Sequence, residues 1–438
     1  MAEITKGTEK EKKHYAWVIL VACCVFCFGF GMTANSMGQF FVPVTRELGL
    51  GMGQFTMYMT FSGLIQVASM TMLNKMLDKV KLRVLLTCCF VVRLSCTALM
   101  GTFHHLWQWY AVGVVMGVVG PPVHLVMPPI ILSNWFVKKR GFAIGIAMMF
   151  SGLGGAVMNP GLAWIIENFG WRTAYVANSL IAGAVVLPFF MFVILLKPSD
   201  KGLKPYGYEE AAAAAPESQG KPEGAEDAKD AKSAATGAPQ ERGVPWNTAV
   251  RSVSFILMVV IFAVSGFFGG YTQVLSAYGV SIGLSITAAA VLPSLCMVGN
   301  ALTKLTMGAV NDRYGGKVMM YSGLGVVLIA MLLLLNGANP PAGLYIGAFL
   351  AGIFLTVMSV SSPLMVHTVY GARDYTRIFV TLSLAQNLLV AMGASIIGFM
   401  FDFTGDYTLS FITGAAVTVV TAALTYFAFR TSKKLAWE

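Results

Sequence analysis

Two residues stand where a hydrocarbon-facing helix should have none. In the stretch "GNALTKLTMGAVNDRYGGK", Gly299 to Lys317, Lys304 precedes Asp312 by eight residues, which places it about 12 Å along a helix from the charged turn. Arg93 lies ten residues beyond Arg83, about 15 Å deep by the same rise. A cation at such depth in a bilayer costs roughly 2.5 to 3.5 kcal/mol, and more if isolated, so it needs an anion or a watery cavity beside it. No carboxylate falls near mid-membrane: Glu47, Glu167, Asp402 and Asp406 sit at helix ends on one side, and Asp78, Asp312 and Asp374 on the other. An exchangeable anion would supply the missing charge. Asn300, one helical turn before Lys304, adds an amide that donates and accepts beside an ammonium that only donates. That pair suits a carboxylate, including one that bears a neighbouring oxo or hydroxy group.

These positions presuppose helices that cross a membrane. The chain has 438 residues, of which 56% are hydrophobic and 11% charged, with a mean hydropathy of +0.70, far from the profile of a soluble domain. Twelve apolar runs recur, centred near Phe26, Gly63, Val92, Gly117, Phe150, Val185, Ala263, Cys296, Val327, Phe354, Leu389 and Val419. Each is long enough to span about 30 Å of hydrocarbon as a helix, and the alternating pattern of an outer-membrane barrel is absent. The fold class expected is an all-α polytopic membrane protein with twelve transmembrane helices in two six-helix bundles. The expected organisation is a tail over residues 1–14, a first bundle over 15–196, a linker over 197–246, a second bundle over 247–430 and a tail over 431–438. The linker, rich in Ala, Lys, Glu, Pro and Gly, cannot bury a core and reads as mobile.

The net charge of +10 reflects topology rather than a nucleic-acid surface. Apart from Arg46 and Arg172 on the opposite side and the buried pair Arg93 and Lys304, every Lys and Arg falls in a tail, loop or linker on one side. By the positive-inside bias that side is cytoplasmic and holds both termini, which fits a bacterial inner membrane. All seven cysteines fall in expected helices, and Cys24 and Cys27 in C-x-x-C spacing lack further ligands, so packing is the default and no metal or other cofactor is expected. "GLGGA" at Gly152 follows no strand and is not a dinucleotide loop. With no Walker motif or nucleophilic triad, ATP-driven transport and enzyme readings fall away.

The two halves repeat. "NKMLDKVKLR" around Asp78 is matched by "MGAVNDRYGGK" around Asp312, 234 residues later, and "NFGWRTAY" at Gly170 by "DFTGDYTLSF" at Gly405, 235 later. One offset at two landmarks argues for duplication of a six-helix unit. "GAVNDRYGGK" resembles the G-x-L-x-D-R-x-G-R/K motif of the major facilitator superfamily; the first copy departs from it at Asn74 and Lys81. "WFVKKRGFAIGIAMMFS", Trp135 to Ser151, is similar to the signature of monocarboxylate transporters, with Phe142 in place of a leucine, and "YAW" at Tyr15 and "FDFTGDYTLSF" resemble other motifs of that group and its oxalate/formate antiporter branch.

The resemblance implies a secondary carrier for a small organic anion, a monocarboxylate, moved by alternating access between the two bundles with Lys304 and Asn300 at the substrate. An antiporter of two carboxylates, an exporter of a bulkier acid, and a non-transporting anion sensor are the rival readings. The family carries arginine at the position of Lys304, and its animal members carry aspartate where Asn300 stands. This chain thus keeps the positive charge but loses the bidentate fork and a proton-coupling acid, which favours anion binding over proton symport. Helices 1, 4, 7 and 10 line the cavity in that fold. Their polar residues are therefore the next substrate candidates: Asn35 and Gln39 with Ser36 in helix 1, His124 between two Pro pairs in helix 4, Tyr271 and Gln273 in helix 7, and His367 in helix 10. Gln386 and Asn387 join them. His124, His367 and Arg93 could relay a proton or anion, although helix 3 usually lies outside the cavity and Arg93 reads first as an anchor between helices. The motif loops give Asp78, Asp312, Arg313 and Arg140 gating roles at the cytoplasmic seam. The expected partners are an organic anion, a proton or counter-anion and the lipid bilayer, with a monomer as the working unit.

Overall fold

The computed structural model describes residues 14–70, 72, 76–77, 79–124, 127–208, 243–337, 341–371 and 373–432. Helix α1 (Tyr15–Leu48) is interrupted by a tight turn at Met37–Phe40, followed by α2 (Met52–Met70) and α3 (Leu82–Leu99). Helix α4 is broken into Leu106–Val119 and Met127–Trp135, with a 3₁₀ turn at Pro121–Val123 between them. α5 (140–169) and α6 (171–188) run on through Gly170, whose φ of 82° and ψ of 162° suit only glycine. In the second half come α7 (Val253–Ser281), α8 (286–314) and α9 (316–335), the last two meeting at Gly315. α10 (Pro341–Tyr370) contains a π-helical turn at Val357–Ser361, and α11 (Tyr375–Thr404) and α12 (Thr408–Ser432) complete the second bundle.

Nine helical segments among the described residues are both long and apolar enough to span a membrane. Twelve spans result because α5 and α6 form one of those nine segments, while the more polar α2 and the broken α4 lie outside them. Apolar side chains along the spans are left exposed, among them Val157, Leu180 and Ile256 at 65%, 68% and 63%. In water such surfaces would aggregate; in a bilayer they meet acyl chains. Backbone approach drives the internal packing instead. A Cβ at Gly31 would strike the carbonyl of Ser151, and one at Gly266 that of Gln386. These close contacts join α1 to α5 and α7 to α11, and they are related by the repeat offset.

An even number of spans puts the start of α1 and the end of α12 on one face, the basic face; the opposite one is the far face. On the basic face the segments flanking residues 209–242 are tied to the bundles at equivalent places. Tyr206 N donates to Trp135 O at the end of α4, and Val244 N to Tyr370 O at the end of α10, both at 2.8 Å. The remainder of the expected linker, and Asp78, lie outside the described residues.

Candidate functional site

The two bundles are joined from the far face down to mid-depth, and the joints come in pairs. Asp402 at the end of α11 accepts the first backbone N–H groups of α2, from Met52 (2.7 Å) and Gly53 (2.8 Å). Glu167 at the end of α5 does the same for α8, accepting from the Thr287 N–H (2.9 Å) and from the Thr287 hydroxyl. Both place a carboxylate on the positive end of a helix dipole belonging to the other bundle. Deeper, the Thr60 hydroxyl of α2 donates to Ala391 O (3.0 Å), and Ser294 of α8 to Ala156 O (3.1 Å). Glu167 and Asp402, Met52 and Thr287, and Ala156 and Ala391 are each 235 residues apart. Near the pseudo-twofold axis Ser276 donates to Gln39 Oε1 (2.8 Å), and Gly38 lies so close to the Gln273 carbonyl that a Cβ there would collide with it.

Beyond these contacts, toward the basic face, the bundles separate around a cavity of about 350 Å³. The order along the helices makes this plain. On α2 the joints at Met52 and Thr60 give way to cavity-lining Ser62 and Gln66, and on α8 those at Thr287 and Ser294 to Asn300 and Lys304. The wall includes His124 in the break of α4 and Ser359 in the π-turn of α10, again 235 residues apart. The Pro pairs that predict a bend in α4 thus have a structural counterpart in α10, and both open backbone beside the cavity.

Lys304 is half-buried in this wall, and its ammonium has no hydrogen-bond or ion-pair partner among the described residues. Asn300 is 4% exposed, and its Oδ1 accepts a hydrogen bond from Thr356 of α10 (3.3 Å), which also exchanges one with Thr303 (2.7 Å). That fixes the Asn300 amide with its NH2 free to donate. Asn35 lines the cavity too, its Nδ2 donating to Ser151 O (3.1 Å). Arg93, His124 and Gln273 are the other expected residues in the wall; Arg93 faces the cavity. No Asp or Glu is among the lining residues.

Other expected candidates lie elsewhere. Gln39 is used by Ser276. Tyr271 is enclosed by Phe267, Phe354 and Phe411 and donates to Ser410 O (2.5 Å). Gln386 binds Ser265 (2.7 Å) and Met358 O (3.2 Å), whereas Gln273 reaches the wall. Asn387 and His367 are exposed outside the wall, the latter edge-on to Tyr375. On the basic face Asp312 and Arg313 are both exposed. Asp312 accepts from its neighbour Asn311 (3.4 Å), and Arg313 lies over the ring of Tyr314. The side chain of Arg140, like Asp78, lies outside the described residues. Sequence reasoning missed Tyr58 and Gln66 of the wall, and it missed the latch of Glu167 and Asp402. The shared offset of those two acids was the available signal.

A largely apolar cavity carrying a few polar and two cationic side chains, held between two pseudo-symmetric bundles, sealed on one side and open toward the other, is the architecture of a membrane transporter. The chain belongs to the Major Facilitator Superfamily, whose family model matches residues 21–300 and 281–438. It is related to monocarboxylate transporters. Monocarboxylate transporter 12 of Rattus norvegicus is 25% identical over 303 residues, covering 64% of this chain and 58% of the relative. Monocarboxylate transporter 13 of Bos taurus is 24% identical over 295 residues, covering 65% and 59%. The chain therefore spans a little under six-tenths of the length of these relatives. Among solved structures, a bacterial homolog of the human lysosomal transporter Spinster in an inward-facing, unoccupied conformation superposes with a TM-score of 0.69 at 15% identity, covering 97% of this chain and 99% of that one. The nucleoside transporter NupG gives 0.66 at 13%, covering 95% and 99%. At these identities the likeness is one of fold.

Proposed function

We propose that this chain is a secondary carrier that moves a small organic anion by alternating access, with the anion's carboxylate at Lys304. The observation that carries the reading is that, among the described residues, the ammonium of Lys304 is unpaired and the cavity wall contains no carboxylate. A bound carboxylate offsets the cost of holding that cation away from water, and the Asn300 amide, held by Thr356, orients it. A single carboxylate is the least that this site requires, and the names of the related monocarboxylate transporters support that cargo. Asn35 and Gln273 supply further polar contacts, and His124 is placed to hydrogen-bond the cargo or carry a proton. Asp78, Asp312, Arg313 and Arg140 close the opposite gate when the basic face shuts. The asymmetry of basic residues supports a cytoplasmic side for both termini; a bacterial inner membrane and a monomeric working unit are part of the proposal.

Exchange of one anion for another is the favoured mode, because no Asp or Glu lies in the wall among the described residues, which leaves His124 as the proton carrier that symport would need. The test is thermal stability of the detergent-purified chain against a panel of carboxylates and cationic amines. Ligand at one hundred times Kd adds about 2.7 kcal/mol. Carboxylates should stabilise the protein, Lys304→Ala should remove the effect, and Lys304→Arg should keep part of it. Stabilisation by carboxylates that is unchanged in Lys304→Ala refutes the assignment. Counterflow in liposomes without a proton gradient then separates exchange from symport, and binding without flux would identify a sensor.

A further inference from the structure

The cavity holds a second fixed cation whose surroundings are those of a binding site. Arg93 projects from α3 into the wall, and no ion pair or side-chain hydrogen bond satisfies its guanidinium among the described residues; its recorded neighbour is the face of Phe30, 6.0 Å from the ring centre. Two more unsatisfied polar groups share that part of the wall. Among the described residues the Tyr58 hydroxyl of α2 has no hydrogen-bond partner although the residue is only 3% exposed, and His124 Nδ1 of α4 has none either. The Tyr58 hydroxyl and His124 Nδ1 are buried without a partner among the described residues, which is costly, and the Arg93 guanidinium shares their wall; an exchangeable ligand in the cavity would satisfy all three.

The chemistry of the missing partner follows from the set. A guanidinium donates only, a tyrosyl hydroxyl donates readily, and an imidazole can present N–H to an oxygen. No Asp or Glu lies in the wall beside them among the described residues. The partner is an anion, and the planar fork of Arg93 fits a carboxylate with two parallel hydrogen bonds. Arg93 belongs to the first bundle and Lys304 to the second, at similar depths by helical rise, about 15 and 12 Å from the basic face. The repeat does not generate this pair: the counterpart of Arg93 is Leu328 and that of Lys304 is Ser69.

We infer that Arg93, Tyr58 and His124 form a second anion subsite, and that the preferred cargo is an elongated dicarboxylate bridging the bundles, one carboxylate on Lys304 and the other on Arg93. This rests on the assignment of Lys304 as the first carboxylate site. A dianion neutralises both cations of the cavity, whereas a monoanion of equal length leaves Arg93 unmatched. Bridging also links recognition to movement, since a ligand held by both bundles is fully bound only while they are correctly spaced.

The experiment compares acids of equal chain length on the full-length detergent-purified protein by isothermal titration: succinate against butyrate, and glutarate against valerate. The wild type is expected to bind the diacid at least about tenfold more tightly, the worth of one charge-assisted contact. Arg93→Gln should abolish that preference while retaining the monoacid affinity. Tyr58→Phe, which removes one oxygen and keeps the ring, should reduce the preference and guards against misfolding of the arginine variant. Equal affinity for both acids in the wild type, or a preference unchanged by both variants, overturns the second subsite and leaves Lys304 standing. Monoacid binding that survives Lys304→Ala intact refutes the first site, and the inference falls with it.

Discussion

The paired far-face latches set how firmly that face stays shut, and the cost of breaking them can be worked out. Each carboxylate satisfies backbone N–H groups at the start of a helix, two for Asp402, at a part-buried helix start, and one with a hydroxyl for Glu167, at an exposed one. Removing such a cap typically costs about 1 kcal/mol where water can replace it. Asp402→Ala should therefore move the equilibrium toward the far-face-open state by about fivefold, and with Glu167→Ala the two distant sites add to about 2 kcal/mol, roughly thirtyfold. Spin labels at Arg46 in the first bundle and Phe403 in the second, the latter 89% exposed, would report the distance across that face by pulsed electron resonance in a background without native cysteines. The long-distance population should grow in each single variant and more in the double. A distribution unchanged in the double variant, with thermal stability retained, would refute the latch.

Other substitutions probe the frame around the cavity. Gly38→Val places a side chain against the Gln273 carbonyl on the pseudo-twofold axis and should stop flux by preventing closure of the far face, visible as raised far-face thiol reactivity. Gly170→Ala forces a side chain into a backbone region reserved for glycine; it should destabilise the fold by about 1 to 3 kcal/mol, measured as a lower melting temperature with ligand affinity unchanged. Thr356→Val removes the donor to Asn300 Oδ1 and should weaken carboxylate binding by about tenfold through a misoriented amide, with little change in transport of any cargo that does not use Asn300.

Much of this was legible in the residues. Apolar runs long enough to span a membrane can be read in any phase, which is why the helices and the two-half repeat emerge from sequence. Lys304, Asn300, Asn35 and His124, which line the cavity, stand out in the sequence because each is polar where lipid or packing would exclude it. Gln39, Tyr271 and Gln386 carried the same signal for a different reason: they bridge helices in buried contacts, and helical phase does not separate an interhelical face from a cavity face. Tyr58 escaped attention because a tyrosine in an apolar helix is unremarked until its hydroxyl is seen to lack a partner. Arg93 lines the cavity although helix 3 is expected outside it, because how a helix packs against its neighbours, which periodicity does not encode, decides which of its faces meets the cavity.

The paired joints across the far face have the form of a contact between two identical subunits. Each half presents a carboxylate to the other half's helix end and receives one in return, so the contact is isologous in the sense of a symmetric dimer. Duplication and fusion of a six-helix ancestor would preserve that reciprocity, since any residue that improves one joint improves its twin before the copies diverge. After fusion the constraint falls unequally. Under the proposed alternating access the joints would have to stay matched for the halves to move as a pair, whereas a residue facing the cavity has no twin to satisfy. Arg93 and Lys304, opposed to Leu328 and Ser69 in the other half, are where this chain used that freedom: symmetric mechanics carries asymmetric chemistry.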